Sequence, residues 1–90
     1  MKIEHLHSLF LKTNIVSTDT RNIQKGALFF ALKGENFNGN QFAKQALESG
    51  ASIAIIDDPA CFIDDTKTIL VEDTLNALQR LATFHRQQLN

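Results

Sequence analysis

Ala27-Leu28-Phe29-Phe30-Ala31-Leu32, closed by Lys33-Gly34, is the stretch on which the fold turns. An unbroken apolar run of this length suits a strand covered on both faces, as in a sheet flanked by helices. Ser52-Ile53-Ala54-Ile55-Ile56-Asp57 is a second run of the same kind. Asp57-Asp58-Pro59 stops it, because proline donates no ladder hydrogen bond and biases the residue before it. Between the two runs, Gly34 and Asn38-Gly39 punctuate a loop, and Asn-Gly is a tight-turn signal. Asn40 then predicts a cap for a helix over 41–49 whose inner stripe is Phe42, Ala43, Ala46 and Leu47. Gly50 is its predicted terminator. Ala27 to Asp57 therefore reads as a βαβ unit with a right-handed crossover between parallel strands.

Working outward, Ile3, Leu6, Leu9 and Phe10 recur at helical spacing and predict a helix over 3–12. Ile15-Val16 begins an extended segment, followed by a polar loop from Ser17 to Gly26. On the other side, 60–67 reads as a loop and Thr68-Ile69-Leu70-Val71 as a short strand. Asp73 or Thr74 caps a final helix whose inner face is Leu75, Leu78, Leu81, Ala82 and either His85 or Leu89. The alternation predicts an α/β domain with a small mixed or parallel sheet flanked by helices. The chain has seven Phe and neither Trp nor Tyr. Phe10, Phe29, Phe30, Phe42, Phe62 and Phe84 are assigned to the core; Phe37, inside a polar turn, is not.

The 90 residues make one domain, 1–90, which buries roughly 60–65% of its unfolded surface. A net charge of −1 gives no basic face for nucleic acid. No apolar run is long enough to span a bilayer, and the start lacks the apolar segment of a signal peptide. Cys61, the single cysteine, has no partner for an internal disulfide. These features together point to the cytoplasm. His5, His7 and His85 lack metal-ligand spacing, and no metal site is expected. His85 is assigned to helix packing. Asp57-Asp58 and Asp64-Asp65 read as solvated loop charges, and Cys61 is not placed as a nucleophile.

In α/β sheets, ligands sit at the carboxyl ends of strands. Two polar loops fall there. Ser17-Thr18-Asp19-Thr20-Arg21 follows the first strand, and Lys33-Gly34-Glu35-Asn36-Phe37-Asn38-Gly39 follows the second. Hydroxyls, backbone amides and one guanidinium suit a phosphorylated, ribose-bearing molecule.

These same residues resemble the N-terminal domain of the Mur ligases, the ATP-dependent amide-bond-forming enzymes of peptidoglycan precursor synthesis. The resemblance runs through Ser17-Thr18-Asp19-Thr20-Arg21, Gly26-Ala27-Leu28-Phe29-Phe30-Ala31-Leu32-Lys33-Gly34, Phe37-Asn38-Gly39-Asn40-Gln41-Phe42, then Ala46 with Gly50-Ala51. Asn38 and Asn40 stand where the family more often has Asp and His. Asn keeps hydrogen-bonding capacity at both places but brings neither charge nor imidazole. Within the family, the pattern looks most like the members that join D-alanyl-D-alanine to UDP-N-acetylmuramoyl-tripeptide. Members that add the third peptide residue are the runner-up. A stand-alone α/β interaction module is the reading outside the family.

The resemblance implies that this domain holds the UDP part of a UDP-sugar-peptide substrate. Its expected partners are that substrate and the central and C-terminal domains of the same ligase. ATP and Mg belong to the central domain, and no cofactor is expected here. No G-x-x-x-x-G-K-[ST] sequence occurs among the 90 residues. The chain then reads as an excised or truncated recognition domain without catalytic residues.

By this resemblance Thr18 and Thr20 contact the uridine diphosphate, and Glu35, Asn36 and Phe37 carry the uracil and ribose contacts. Asn36 can pair with a pyrimidine edge, and Phe37 can stack on the base for roughly 1–3 kcal/mol. Local readings stand beside these. The threonines can close a Ser/Thr turn, and Phe37 can fold back over the core. Arg21 either reaches a diphosphate oxygen or pairs with Asp19. Lys33 is either solvated or drawn to phosphate.

Overall fold

A computed structural model describes residues 2–34, 37–64 and 66–89; the side chain of Phe37 is also outside it. Helix α1 (Ile3–Thr13) leads to β1 (Val16–Ser17) and β2 (Leu28–Phe30). A small ribbon, β3 (Lys33–Gly34) and β4 (Phe37–Asn38), precedes α2 (Ala43–Glu48) and β5 (Ile53–Ile56). Then come β6 (Thr68–Leu70) and α3 (Thr74–Gln88). The order β1-β2-β5-β6 forms one sheet, parallel at every junction, and β3 pairs antiparallel with β4 apart from it. The expected α/β class is what the chain adopts.

The period-two alternation of strands sorts the apolar run into two cores. Leu28 and Phe30 of β2 and Ile55 of β5 meet Leu6 of α1 and Leu81 of α3. Phe29, Ala31, Ala54 and Ile56 point the other way, onto Ala43 and Ala46 of α2. The result is three layers, with α1 and α3 on one face and α2 on the other. Small alanines on the α2 side let that short helix approach closely.

Helix α1 ends where Asn14 takes a left-handed conformation (φ 56°) and its N–H bonds to the Phe10 carbonyl at 2.7 Å. Asn tolerates this conformation better than most L residues. Gly50 follows α2 at φ 119°, as its position as terminator predicted. His7 of α1 is buried and its Nε2 lies 3.0 Å from Nδ1 of His85 on α3. Phe84 meets the His7 ring edge-on at 5.0 Å. His85 therefore packs the α1–α3 seam, as expected.

Several expectations change. Helix α2 begins at Ala43 because a 3₁₀ turn, Gly39–Phe42, comes first. Asn38, not Asn40, caps that turn, its side chain accepting from the Asn40 N–H at 3.0 Å. Asn38-Gly39 is thus a strand end and turn start, not a tight turn. On α3 the cap is Asp73, which accepts from the Asn76 N–H at 3.0 Å. Leu75 and Ala82 are exposed, and Leu89, also exposed, lies past the end of the helix; the residues packed inward are Thr74, Ala77, Leu78, Leu81 and His85. Phe62 is exposed, in a loop that runs outside the sheet. Phe29 and Phe30 are fully buried, while Phe10, Phe42 and Phe84 are partly so.

Candidate functional site

Because the sheet is parallel, the carboxyl ends of β1, β2 and β5 share one edge, where ligand loops are expected. Three segments leave it: 18–22 after β1, the β3–β4 ribbon after β2, and Asp57-Asp58 after β5.

The first loop is shaped by its own side chains. Ser17 Oγ donates to the Asp19 carbonyl at 3.1 Å. Asp19 Oδ1 accepts from the Arg21 N–H at 2.8 Å, starting a 3₁₀ turn over Thr20–Asn22. The Arg21 guanidinium closes on the Asp19 carboxylate, with Nη2 2.8 Å from Oδ2 and Nε 3.1 Å from each oxygen. Hydrogen bonds from Arg21 hold the Asp19 carboxyl below its ordinary pKa. The Arg21 side chain is nevertheless 88% exposed, and such a pair contributes little to stability. The local pairing of Arg21 is therefore the arrangement present. Among the described residues no side-chain hydrogen bond engages the hydroxyl of Thr18 or Thr20.

Glu35 and Asn36 lie outside the described residues, as does the side chain of Phe37. The backbone around them is placed: Lys33 pairs with Asn38 and Gly34 with Phe37. The ribbon follows β2, so it leaves the sheet at the same edge as the loop that carries Thr18, Thr20 and Arg21.

Two residues that the sequence reading left out of the site sit beneath this ribbon. The Asp57 side chain is only 6% exposed, which corrects its reading as a solvated charge. Its Oδ1 accepts from Asn40 Nδ2 at 2.8 Å and lies 3.0 Å from Lys33 Nζ. Its Oδ2 accepts from the Thr74 N–H at 3.1 Å, so it also caps the start of α3. Asn40, fully buried, uses its whole amide. Nδ2 donates to Asn38 Oδ1 and Asp57 Oδ1, both at 2.8 Å, and Oδ1 accepts from the N–H groups of Asp57 and Asp58. Thr74 Oγ1 donates to the Ala31 carbonyl at 2.7 Å. Lys33, half exposed, is thus ion-paired rather than freely solvated. A sequence signal for Asn40 existed in its place within the family pattern; none marked Asp57, whose partners are distant in the chain.

Burial pushes the Asp57 carboxyl up, but hydrogen bonds from Asn40, Thr74 and Lys33 outweigh it and hold the pKa below the ordinary value. The folded pKa thus lies below the unfolded one. The ionised carboxylate stabilises the fold above the unfolded value, about 3.9, and that contribution is lost as pH falls through the folded value. Urea midpoints measured from about pH 7 down to about pH 2 should fall on acidification, and Asp57→Asn should flatten part of the fall. An equally steep fall in Asp57→Asn would assign it to exposed carboxylates such as Asp19 and Asp64.

Elsewhere, burial and the neighbouring Asp58 carboxylate push the Cys61 thiol up, which disfavours the nucleophilic thiolate. A groove of about 390 Å³ lined by Phe10, Val16, Leu78, Leu81, His85 and Leu89 is apolar and lies on the α1–α3 face. Among the described residues, no group of three or more His, Cys, Asp or Glu side chains could hold a metal ion.

Residues 12–86 match the family described as "Mur ligase family, catalytic domain". A Synechocystis protein, UDP-N-acetylmuramoyl-tripeptide--D-alanyl-D-alanine ligase, is 43% identical over 79 residues, covering 87% of this chain and 17% of its own length. A Rickettsia typhi protein, UDP-N-acetylmuramoyl-L-alanyl-D-glutamate--2,6-diaminopimelate ligase, is 40% identical over 76 residues, covering 82% of this chain and 15% of its own. Among solved structures, MurF ligase from Thermotoga maritima in complex with ADP superposes with a TM-score of 0.67 at 28% identity, over 76% of this chain and 16% of that one. The chain thus spans about one-sixth of the length of the relatives it matches.

Proposed function

The chain belongs to the Mur ligase family, and from that premise we propose that it is the N-terminal domain of a MurF-type ligase, the part that holds the UDP end of the substrate. The reaction served is the ATP-dependent joining of D-alanyl-D-alanine to UDP-N-acetylmuramoyl-tripeptide. What supports the reading is the convergence of two polar loops, 18–22 and the β3–β4 ribbon, on the carboxyl edge of one parallel sheet.

In this reading the Thr18 and Thr20 segment contacts the diphosphate by backbone and hydroxyl. Arg21 exchanges its exposed pairing with Asp19 for a diphosphate oxygen, a swap that costs little because the pair is solvated. Glu35, Asn36 and Phe37 take the uracil and ribose. The domain contributes positioning, not bond-making. By the family resemblance, ATP with Mg belongs to the central domain of the ligase; the 90 residues carry no P-loop sequence. The partners are the nucleotide-sugar-peptide and the other domains of the same ligase, and the setting is the cytoplasm, where such a substrate is made. The Rickettsia relative keeps a second reading in play, a ligase adding the third peptide residue.

The test is a titration of isotope-labelled domain with UDP and with UDP-N-acetylmuramoyl-tripeptide, following backbone amide shifts. Saturable shifts at 18–21 and 33–38 are expected. Thr20→Ala with Arg21→Ala should weaken UDP binding by about tenfold or more, the worth of one charge-assisted contact, with an unchanged unfolding midpoint. A folded sample showing no shifts at millimolar ligand would overturn the assignment. Equal binding by the double variant would remove Thr20 and Arg21 from the site.

A further inference from the structure

We propose that Asn40, Asp57 and Lys33 are positioning residues that set the β3–β4 ribbon over the sheet edge, so that ligand affinity there depends on a polar clamp beneath the site. The proposal rests on the UDP-holding reading for its affinity arm only. Lys33 and Asn38 face each other across the ribbon, one on each strand. Both feet of the ribbon end on the same buried pair: Lys33 Nζ reaches Asp57 Oδ1 at 3.0 Å, and Asn38 Oδ1 receives Asn40 Nδ2 at 2.8 Å. Asn40 and Asp57 are themselves joined by two hydrogen bonds, Nδ2 to Oδ1 and the Asp57 N–H to Asn40 Oδ1. The ribbon has only two residue pairs of its own, too few for independent stability. Its orientation is therefore imposed from below.

The clamp also reaches α3. Asp57 Oδ2 takes the Thr74 N–H, and Thr74 Oγ1 donates to the Ala31 carbonyl just before the ribbon. One carboxylate thus joins the end of β5, the start of α3 and the ribbon. None of the three residues need touch the ligand. Asn40 and Asp57 are covered by protein, and Lys33 is engaged with Asp57.

Two variants separate positioning from folding. Asn40→Ala removes the centre of the clamp. Lys33→Met removes one foot from a half-exposed position and leaves the core intact. The first readout is amide hydrogen exchange at Gly39, whose N–H bonds to the Leu32 carbonyl at 2.7 Å, compared with Ala31, which bonds to Ile55 inside the sheet. In Lys33→Met, Gly39 should exchange about fivefold faster or more while Ala31 is unchanged. The second readout is UDP affinity by the same amide titration. It should fall about tenfold in both variants, with the response at 18–21 retained and that at 33–38 diminished. Lys33→Arg should restore both readouts. Unchanged exchange at Gly39 in folded Lys33→Met would overturn the clamp. If Asn40→Ala does not fold, Lys33→Met alone decides the matter. If the wild-type domain fails to bind UDP, the UDP-holding reading falls, and the exchange arm still decides whether the clamp sets the ribbon.

Discussion

Phe30→Ala should cost about 3–5 kcal/mol of folding stability, by lost transfer energy and by the cavity it leaves. Phe30 has no exposed surface and sits at the centre of the face shared by α1 and α3, against Leu6, Ile55 and Leu81. Domains of this size have about 5–15 kcal/mol in total. The substitution therefore removes a large share, and the melting midpoint should drop by about 15 °C or more. Phe30→Leu keeps most of the volume and should cost clearly less. Thermal unfolding followed by circular dichroism measures both. A drop under about 5 °C for Phe30→Ala would mean that α1 and α3 collapse readily into the space, contrary to a packed three-layer core.

Gly39→Ala should cost about 3 kcal/mol, a large value for adding one methyl. A Cβ at this position would lie 2.7 Å from the Leu32 carbonyl oxygen, 2.8 Å from the Leu32 nitrogen and 2.9 Å from the Ala31 carbonyl carbon. All three are backbone atoms, so no side chain can swing away. Relief requires the 3₁₀ turn to move off the sheet, which breaks the Gly39 N–H bond to Leu32 and shifts Asn40 from Asp57. Gly26→Ala is the informative comparison. Open space surrounds its Cβ, but φ is +88°, and the cost should be a conformational one of about 1–2 kcal/mol. Urea denaturation of the two variants separates close approach from backbone conformation. A Gly39→Ala variant as stable as wild type would show that the turn has room that the backbone distances exclude.

Much of the fold was legible because its causes are local. Continuous apolar runs announced β2 and β5, helical spacing announced α1 and α3, and Gly50 announced the end of α2. Each signal depends on residues within one or two turns of one another. The loop at 18–22 was readable in part: it was foreseen as polar, and the pairing of Arg21 with Asp19, one of two alternatives, is the arrangement present.

What the sequence by itself determined, then, is the order of the three helices and of the four sheet strands, the apolar character of β2 and β5, and the polar loops at the strand ends. Tertiary structure alone decided the fate of the charges and of the ambiguous helix faces. Asp57 reads as a turn aspartate until Asn40 and Thr74, each 17 residues away, and Lys33 enclose it. Leu75 is turned outward and Thr74 inward because the start of α3 is bound to Asp57 and to the Ala31 carbonyl. Gly39 reads as a turn glycine until Leu32 lies against it. The reason is the same in each case: hydrogen bonding and steric exclusion act over about 3 Å, and only the folded chain brings residues far apart in sequence within that range.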